Sequence, residues 1–352
     1  LLMTARDEFE APWRGGDDEG VFEMRIGRLA DAHIFEIIGG VADGADLPRS
    51  VVESMLERID GVPIFAEELT KAVLDSDALR RSDAATRADA FDIPMTLHDS
   101  LMARLDRISE FRGVVLLCSV IGREFDLETL QALSGLDGAA LAPVLDQLVR
   151  RQIMQRTDAE GLHRYAFRHA LLRDEAYSSM LRGERADVHR KLGELLEERL
   201  ANVQAEDPLA GEVIRELAYH WGLAAAESRT ERTVIKRAVQ HLTTAGEREL
   251  MLSGYQEAGA HLEHAMNLLM MLPAGRDRDE LELTVRTRRS TVQKATLGPA
   301  AEEVRAELVR CQELCEQLGA RPELGPVLYS FWQLHLFRAQ YPESLRYARL
   351  CL

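Results

Sequence analysis

Lysine is nearly absent from this chain: four residues (Lys71, Lys191, Lys236, Lys294) in 352, none of them following a Gly. A phosphate-binding loop needs the pattern G-x-x-x-x-G-K-[ST], because backbone N–H groups wrap the phosphates while the Lys reaches the β and γ groups. No such loop is present, and the sequence also lacks an H-E-x-x-H helix, a G-x-S-x-G elbow, a C-x-x-C pair and a G-x-G-x-x-G turn. Cysteine is sparse, with four residues (Cys118, Cys311, Cys315, Cys351), too few for a disulfide framework and in keeping with a reducing compartment. Cys311 and Cys315 lie one helical turn apart, but no second ligand pair follows, so they read as core residues of a helix rather than metal ligands. Long apolar runs are missing too. No stretch approaches eighteen uninterrupted apolar residues and no basic segment precedes a short apolar one at the start, so neither a membrane span nor a signal peptide is expected and a cytoplasmic location is.

What is present is acid, helix and length. The 352 residues exceed one ordinary domain and predict two or three. Asp and Glu outnumber Lys and Arg by 59 to 43, a formal charge of -16, which works against polyanionic partners such as nucleic acid or anionic lipid.

The segments LLMTA and VFEMRIGRL read as two short strands, the second alternating Phe22, Met24 and Ile26, and the opening apolar run without a Met reads as a chain cut inside a strand. From Ala30 the period becomes helical. Ile34, Ile37 and Ile38 are followed by Val51, Val52, Met55, Leu56 and Ile59, and after Asp60-Gly61-Val62-Pro63 a third helix carries Phe65, Leu69, Ala72 and Val73; Pro is tolerated in a first helical turn, where its missing N–H has no partner anyway. Residues 76–93 are polar and mixed in charge, as in a linker. Beyond it, Leu97, Leu101, Leu105 and Ile108 mark a helix, Val114 to Ile121 a second, Asp126 caps a third through Leu133, and Leu141 to Arg151 forms a fourth. IMQRTDAEGLHRYAF then reads as a hairpin around Asp158 to Gly161. Helices followed by a hairpin spell a winged-helix module.

From His169 onward only helical segments follow, with breaks at Asp207-Pro208, Pro273 to Gly275, Gly298-Pro299 and Arg321-Pro322, which predicts antiparallel helix pairs. Gly246, Tyr255, Ala258, Leu262 and Ala265 fall at the expected positions of a tetratricopeptide (TPR) repeat, and Tyr341 and Ser344 repeat the Tyr255 and Ala258 positions in a second, degenerate unit. The final helix stops on apolar residues, Leu350 to Leu352, and concentration-dependent association through them is expected. His163, His189 and His220 are scattered and read as surface or partly buried polar residues.

Taken in order, several of these segments resemble the STAND class of AAA-related signalling ATPases. LLMTARDEFEAPW is similar to its sensor-one strand, DGVPIFAEELTKAVLDS to its G-x-P helix, IPMTLHDSLMARLDRI and VIGREFDLETL to the start of its winged helix, and FRHALLRDEAYSSML to the His-containing segment that in M-H-D relatives senses the β-phosphate. ELCEQLGARPELGPVLYSFWQLHLFRAQYPESLRYARLCL is similar to the helical-repeat region of bacterial proteins in which such an ATPase follows a class III nucleotide cyclase.

The resemblance implies a mostly α chain: the C-terminal remnant of an α/β P-loop ATPase core with its sensor strand (1–28), a helical lid (29–76), a linker (77–95), a winged helix (96–181) and a TPR-like α-solenoid (182–352). It also implies nucleotide-binding roles for Arg6 (sensor arginine), Gly61 and Pro63 (the adenine-side turn) and His169 (β-phosphate sensor), with no catalytic and no metal residue in this chain. A permanently charged Arg forks onto phosphate oxygens, Pro offers a flat apolar wall, and a His donates a hydrogen bond to an anion. Arg6 as a strand-end surface charge, Pro63 as a mere helix starter and His169 as a cap or core residue are the bland readings. ATP or ADP with Mg²⁺ is implied for an intact parent and is not expected to be held tightly by this chain alone, which should not hydrolyse ATP. Partners are expected to be a protein or the parent's own output domain, a cyclase first and a LuxR- or MalT-like transcription regulator second, with a pure TPR scaffold as a third reading.

Overall fold

The computed structural model describes residues 24, 26–45, 47–74, 96–106, 108–157, 164–204, 207–228, 231–319 and 322–351. Arg6, the expected sensor strand, the polar linker, His163 and the tip of the expected hairpin lie outside the described residues. The fold is mostly helical, and its contacts divide the chain into Leu1–Arg104 and Leu105–Leu352.

In the first unit, α1 (Asp31–Ala42), α2 (Arg49–Ile59) and α3 (Pro63–Leu74) close on one apolar cluster. Ile34 and Ile38 of α1, Val51, Met55 and Ile59 of α2, and Phe65, Leu69 and Val73 of α3 supply it, each set at the three-to-four spacing that puts residues on one helical face. Met24 and Ile26, expected on one face of a strand, instead stand 71% and 90% exposed and belong to no strand among the described residues. Alternation of three apolar residues makes a strand only where a neighbour pairs with it and covers the face. Helix α4 (Leu97–Asp106) spans the point where the division falls.

The second unit begins with α5 (Arg112–Ile121), β1 (Glu124–Asp126), α6 (Leu127–Ser134), α7 (Gly138–Arg150), β2 (Met154–Arg156), β3 (Arg164–Phe167) and α8 (Ala170–Ser178). The three strands form an antiparallel sheet in the order β1-β3-β2, with Phe125 opposite Tyr165 and Gln155 opposite Ala166. Asp126 caps α6 as the sequence predicts, its carboxylate accepting from the Thr129 N–H at 2.7 Å, and Asp137 does the same for α7 through Ala140 at 2.8 Å.

Helices α9 (Arg182–Ala201), α10 (Pro208–Ser228), α11 (Arg232–Met251), α12 (Tyr255–Leu269), α13 (Arg276–Leu297), α14 (Glu302–Leu318), α15 (Leu324–Phe337) and α16 (Tyr341–Leu350) follow. Each packs chiefly on its sequence neighbour, as expected of a repeat-like stack. The TPR spacing has a physical counterpart here: a Cβ on Gly246 would come within 2.9 Å of the Leu262 side chain and 3.4 Å of the Ala258 carbonyl, so α11 and α12 cross at a point where only small residues fit. Ser344 repeats the small position of Ala258 and is buried, its hydroxyl donating to the Trp332 carbonyl at 3.3 Å. One apolar core runs from Leu133 of α6 through α9 to α12 and into α13, so the sheet-bearing module and the first helices of the stack share an interior. A second core joins α13, α14 and α15 and contains Cys311 and Cys315, both buried as core residues.

Candidate functional site

The turn between α2 and α3 is built from two consecutive left-handed residues, Asp60 (φ 48) and Gly61 (φ 69). Position 61 demands glycine twice over: its backbone is left-handed, and a Cβ there would lie 2.6 Å from the Leu29 carbonyl oxygen and 2.8 Å from the Arg28 Cβ. That close approach is held by the Leu29 N–H, which donates to the Gly61 carbonyl at 2.9 Å, and by Arg28, which donates to the Asp60 carbonyl at 2.8 Å and pairs with its carboxylate. The Val62 carbonyl accepts from Phe65 and Ala66, both at 3.1 Å, leaving Pro63 as the first residue of α3. Its ring is exposed, a flat apolar surface on a turn pinned from both sides.

His169 precedes α8 at the end of β3. Extended backbone (φ -127, ψ 132) places it at the N-cap, where its carbonyl accepts from the Leu172 N–H at 3.1 Å while its ring makes no capping bond. The first turn of α8 carries no acidic residue, so the partial positive charge of that helix end is not offset from within the helix. Gly61 and Pro63 belong to the first unit, two residues apart, and His169 to the second.

A group that sequence reasoning missed lies at the other end of α8. Tyr177 Oη is 3.0 Å from His189 Nε2, and His189 Nδ1 is 2.8 Å from His220 Nδ1. His189 and His220 were expected at or near the surface; both are buried, between α9 and α10. The signal was in the sequence. His189 shares its helical face with the buried Ala186, Leu192, Gly193 and Leu196, and His220 lies three residues after Leu217 and four before Ala224. The contact between ring nitrogens needs one donor and one acceptor, so a single proton lies between the two rings. Burial, reinforced by Arg173 and Arg185, pushes His189 down to about 4, and burial, reinforced by His189 and Arg173, pushes His220 down to about 3.

Folding therefore holds both rings neutral while the unfolded chain protonates them below about 6.5, the ordinary value. Their contribution to stability is complete above pH 6.5 and is lost as pH falls through about 4 and about 3, each ring steepening the loss by up to about 1.4 kcal/mol per pH unit. Urea midpoints between pH 7.5 and 4 should show this slope, and His220→Gln should flatten it. Equal slopes in the two proteins would remove the pair as its source.

No family model matches the chain. It is 27% identical over 290 residues to an uncharacterized protein of Rhizobium meliloti (strain 1021), a stretch that takes in 78% of this chain and 26% of that protein. The chain thus spans about a quarter of that relative's length. Among solved structures, it is similar to a signal transduction ATPase with numerous domains (STAND) protein with a tetratricopeptide repeat sensor from Pyrococcus horikoshii, with a TM-score of 0.33 and 10% identity over 92% of this chain and 53% of that one.

Proposed function

We propose that this chain is a regulatory segment of a multidomain nucleotide-sensing signalling ATPase, comprising a helical lid (29–76), a winged helix (96–181) and a TPR-like stack (182–352) that receives a protein signal or contacts the output domain. The observation that carries the reading is the order α5-β1-α6-α7-β2-β3 with the strand order β1-β3-β2, which supports the winged-helix reading, in a module whose core continues into a stack of helix pairs. The glycine-dependent turn before the exposed Pro63 supports an adenine-side role for Gly61 and Pro63, and the uncapped N-terminus of α8 beside His169 supports an anion there. Arg6 completes the proposed set. ATP or ADP with Mg²⁺ is the proposed ligand of the whole parent, and control of a nucleotide cyclase the proposed output.

A literal DNA-reading role fits poorly. The helix that would enter the groove, α7, exposes Ala139, Ala140, Ala142, Pro143 and Gln147, with a cation only at Arg150, and residues 96–181 hold ten Arg and no Lys against twelve Asp or Glu.

The test places His169→Ala in the full-length parent and measures ADP affinity together with output. A charge-assisted hydrogen bond contributes about 1.5 to 3 kcal/mol, so ADP affinity should fall about tenfold to a hundredfold and output should shift toward the open state. Unchanged affinity with unchanged output reduces His169 to a structural residue.

A further inference from the structure

Between α13, α14 and α15 lies a cavity of about 100 Å³, bounded by Ser290, Thr291 and Lys294 of α13, Leu308 of α14, and Val327 and Ser330 of α15. Lys294 is its one basic group without a counter-charge: among the described residues no carboxylate pairs with it, and its Nζ donates a single hydrogen bond, to Ser330 Oγ at 2.9 Å. The other cations nearby are committed elsewhere. Arg288 pairs with Glu247, and Arg286 and Arg289 both pair with Glu307. Ser330 spends its own hydrogen on the Pro326 carbonyl at 2.8 Å, so it can only accept from Lys294. Two N–H bonds of the ammonium are left over, and burial alone pulls the Lys294 pKa below the ordinary lysine value, with no acidic neighbour holding it up.

A half-buried ammonium without an anion is costly to keep, and the missing anion has a shape defined by its surroundings. We infer that this cavity binds a single carboxylate on a short aliphatic stem, seated on Lys294 with its carbon chain against Leu308 and Val327. A volume equal to about three waters admits such a group and excludes a nucleotide or a sugar. The apolar wall selects a carboxylate with a stem over a fully hydrated oxyanion such as phosphate. Thr291, exposed at the rim, marks the way in. The site makes no use of the nucleotide reading and stands or falls apart from it.

The scarcity of lysine supplies the experiment. With ¹³C-labelled lysine the whole chain gives four ε-carbon signals, and Lys294→Met identifies one of them. Propionate, N-acetyl-glutamate methylamide and inorganic phosphate are each titrated at constant ionic strength. A saturable shift of the Lys294 signal with propionate or the glutamate derivative, leaving Lys71, Lys191 and Lys236 in place, is the expected result. A response to the glutamate derivative at lower concentration than propionate assigns an acidic peptide as the source, and the reverse order assigns a free small acid. Thr291→Leu, which keeps the lysine but narrows the mouth, should weaken the response about tenfold or more, the scale of a lost charge-assisted contact, while circular dichroism remains that of the parent. Parallel shifts of all four lysines, no saturation, or a response to phosphate alone would each overturn the proposal.

Discussion

Replacing Trp221 by Ala should remove about 3 to 5 kcal/mol of stability from the second unit, the range expected when a large buried aromatic leaves a cavity behind. Trp221 is 1% exposed and sits in the core that joins the sheet-bearing module to the helical stack. Its ring lies directly over Gly193 of α9: a Cβ there would approach Nε1 to 2.7 Å and Cε2 to 2.8 Å. The His241 ring stacks on it at 6.1 Å and the Arg237 guanidinium lies 5.1 Å from the ring centre. Domains are stable by only about 5 to 15 kcal/mol, so the loss is a large fraction of the whole. Gly193→Ala should cost about 1 to 3 kcal/mol for the opposite reason, overpacking. In the Trp221→Ala background that cost should shrink, since the clashing ring is gone. Trp221→Phe should be milder than Ala, because the buried indole N–H has no acceptor among the described residues and its removal leaves nothing unpaired. Urea unfolding of the four variants measures all of this, and strict additivity of the Gly193 and Trp221 changes would show that the two do not share one contact.

The same residues show what the sequence discloses. Gly193 and Trp221 are 28 residues apart on successive helices, and periodicity says that each faces inward but not that one covers the other. Spacing was sufficient wherever the constraint is local: the cap at Asp126, the proline start of α3, and the small positions Gly246 and Ala258, which lie within one helix hairpin. It failed where the constraint is tertiary. Strand β1 is three residues long and exists only because β3, about forty residues later, pairs with it. His189 and His220 read as polar because the residue type outweighed their positions on apolar faces. Of the proposed nucleotide residues, the need for glycine at 61 is legible in Asp-Gly-x-Pro, because Asp-Gly favours a left-handed turn and the proline starts the next helix. Whether a phosphate lies near His169 depends on groups that neither periodicity nor spacing brings together.

Glu282→Ala should be the other severe substitution, at about 3 kcal/mol, the lower end of the range for breaking a buried ion pair because its arginine partners keep some contact with water. Glu282 and Glu307 are 4% and 6% exposed. Arg286 of α13 donates to both, at 2.7 Å in each case, while Arg310 of α14 donates to Glu282 at 2.9 and 3.3 Å. The network ties α13 to α14, the helices that wall the Lys294 cavity. Burial by itself would raise the Glu282 pKa, but the bonds from Arg310 and Arg286 outweigh it and hold the carboxyl below its usual range. A depressed carboxylate stabilises the fold above its unfolded value of 4.5 and loses that contribution as pH falls below it, so the wild-type should weaken there more steeply than the Ala variant. Removing Glu282 alone leaves Arg286 with only Glu307 and Arg310 with only the exposed Glu313, whereas Glu282→Leu combined with Arg310→Leu removes a charge of each sign. The double variant should therefore recover much of the stability that the single one loses. Thermal unfolding at pH 7 and pH 4 compares the three proteins. A double variant as unstable as Glu282→Ala would mean that the pair contributes through the packing of its side chains rather than through charge.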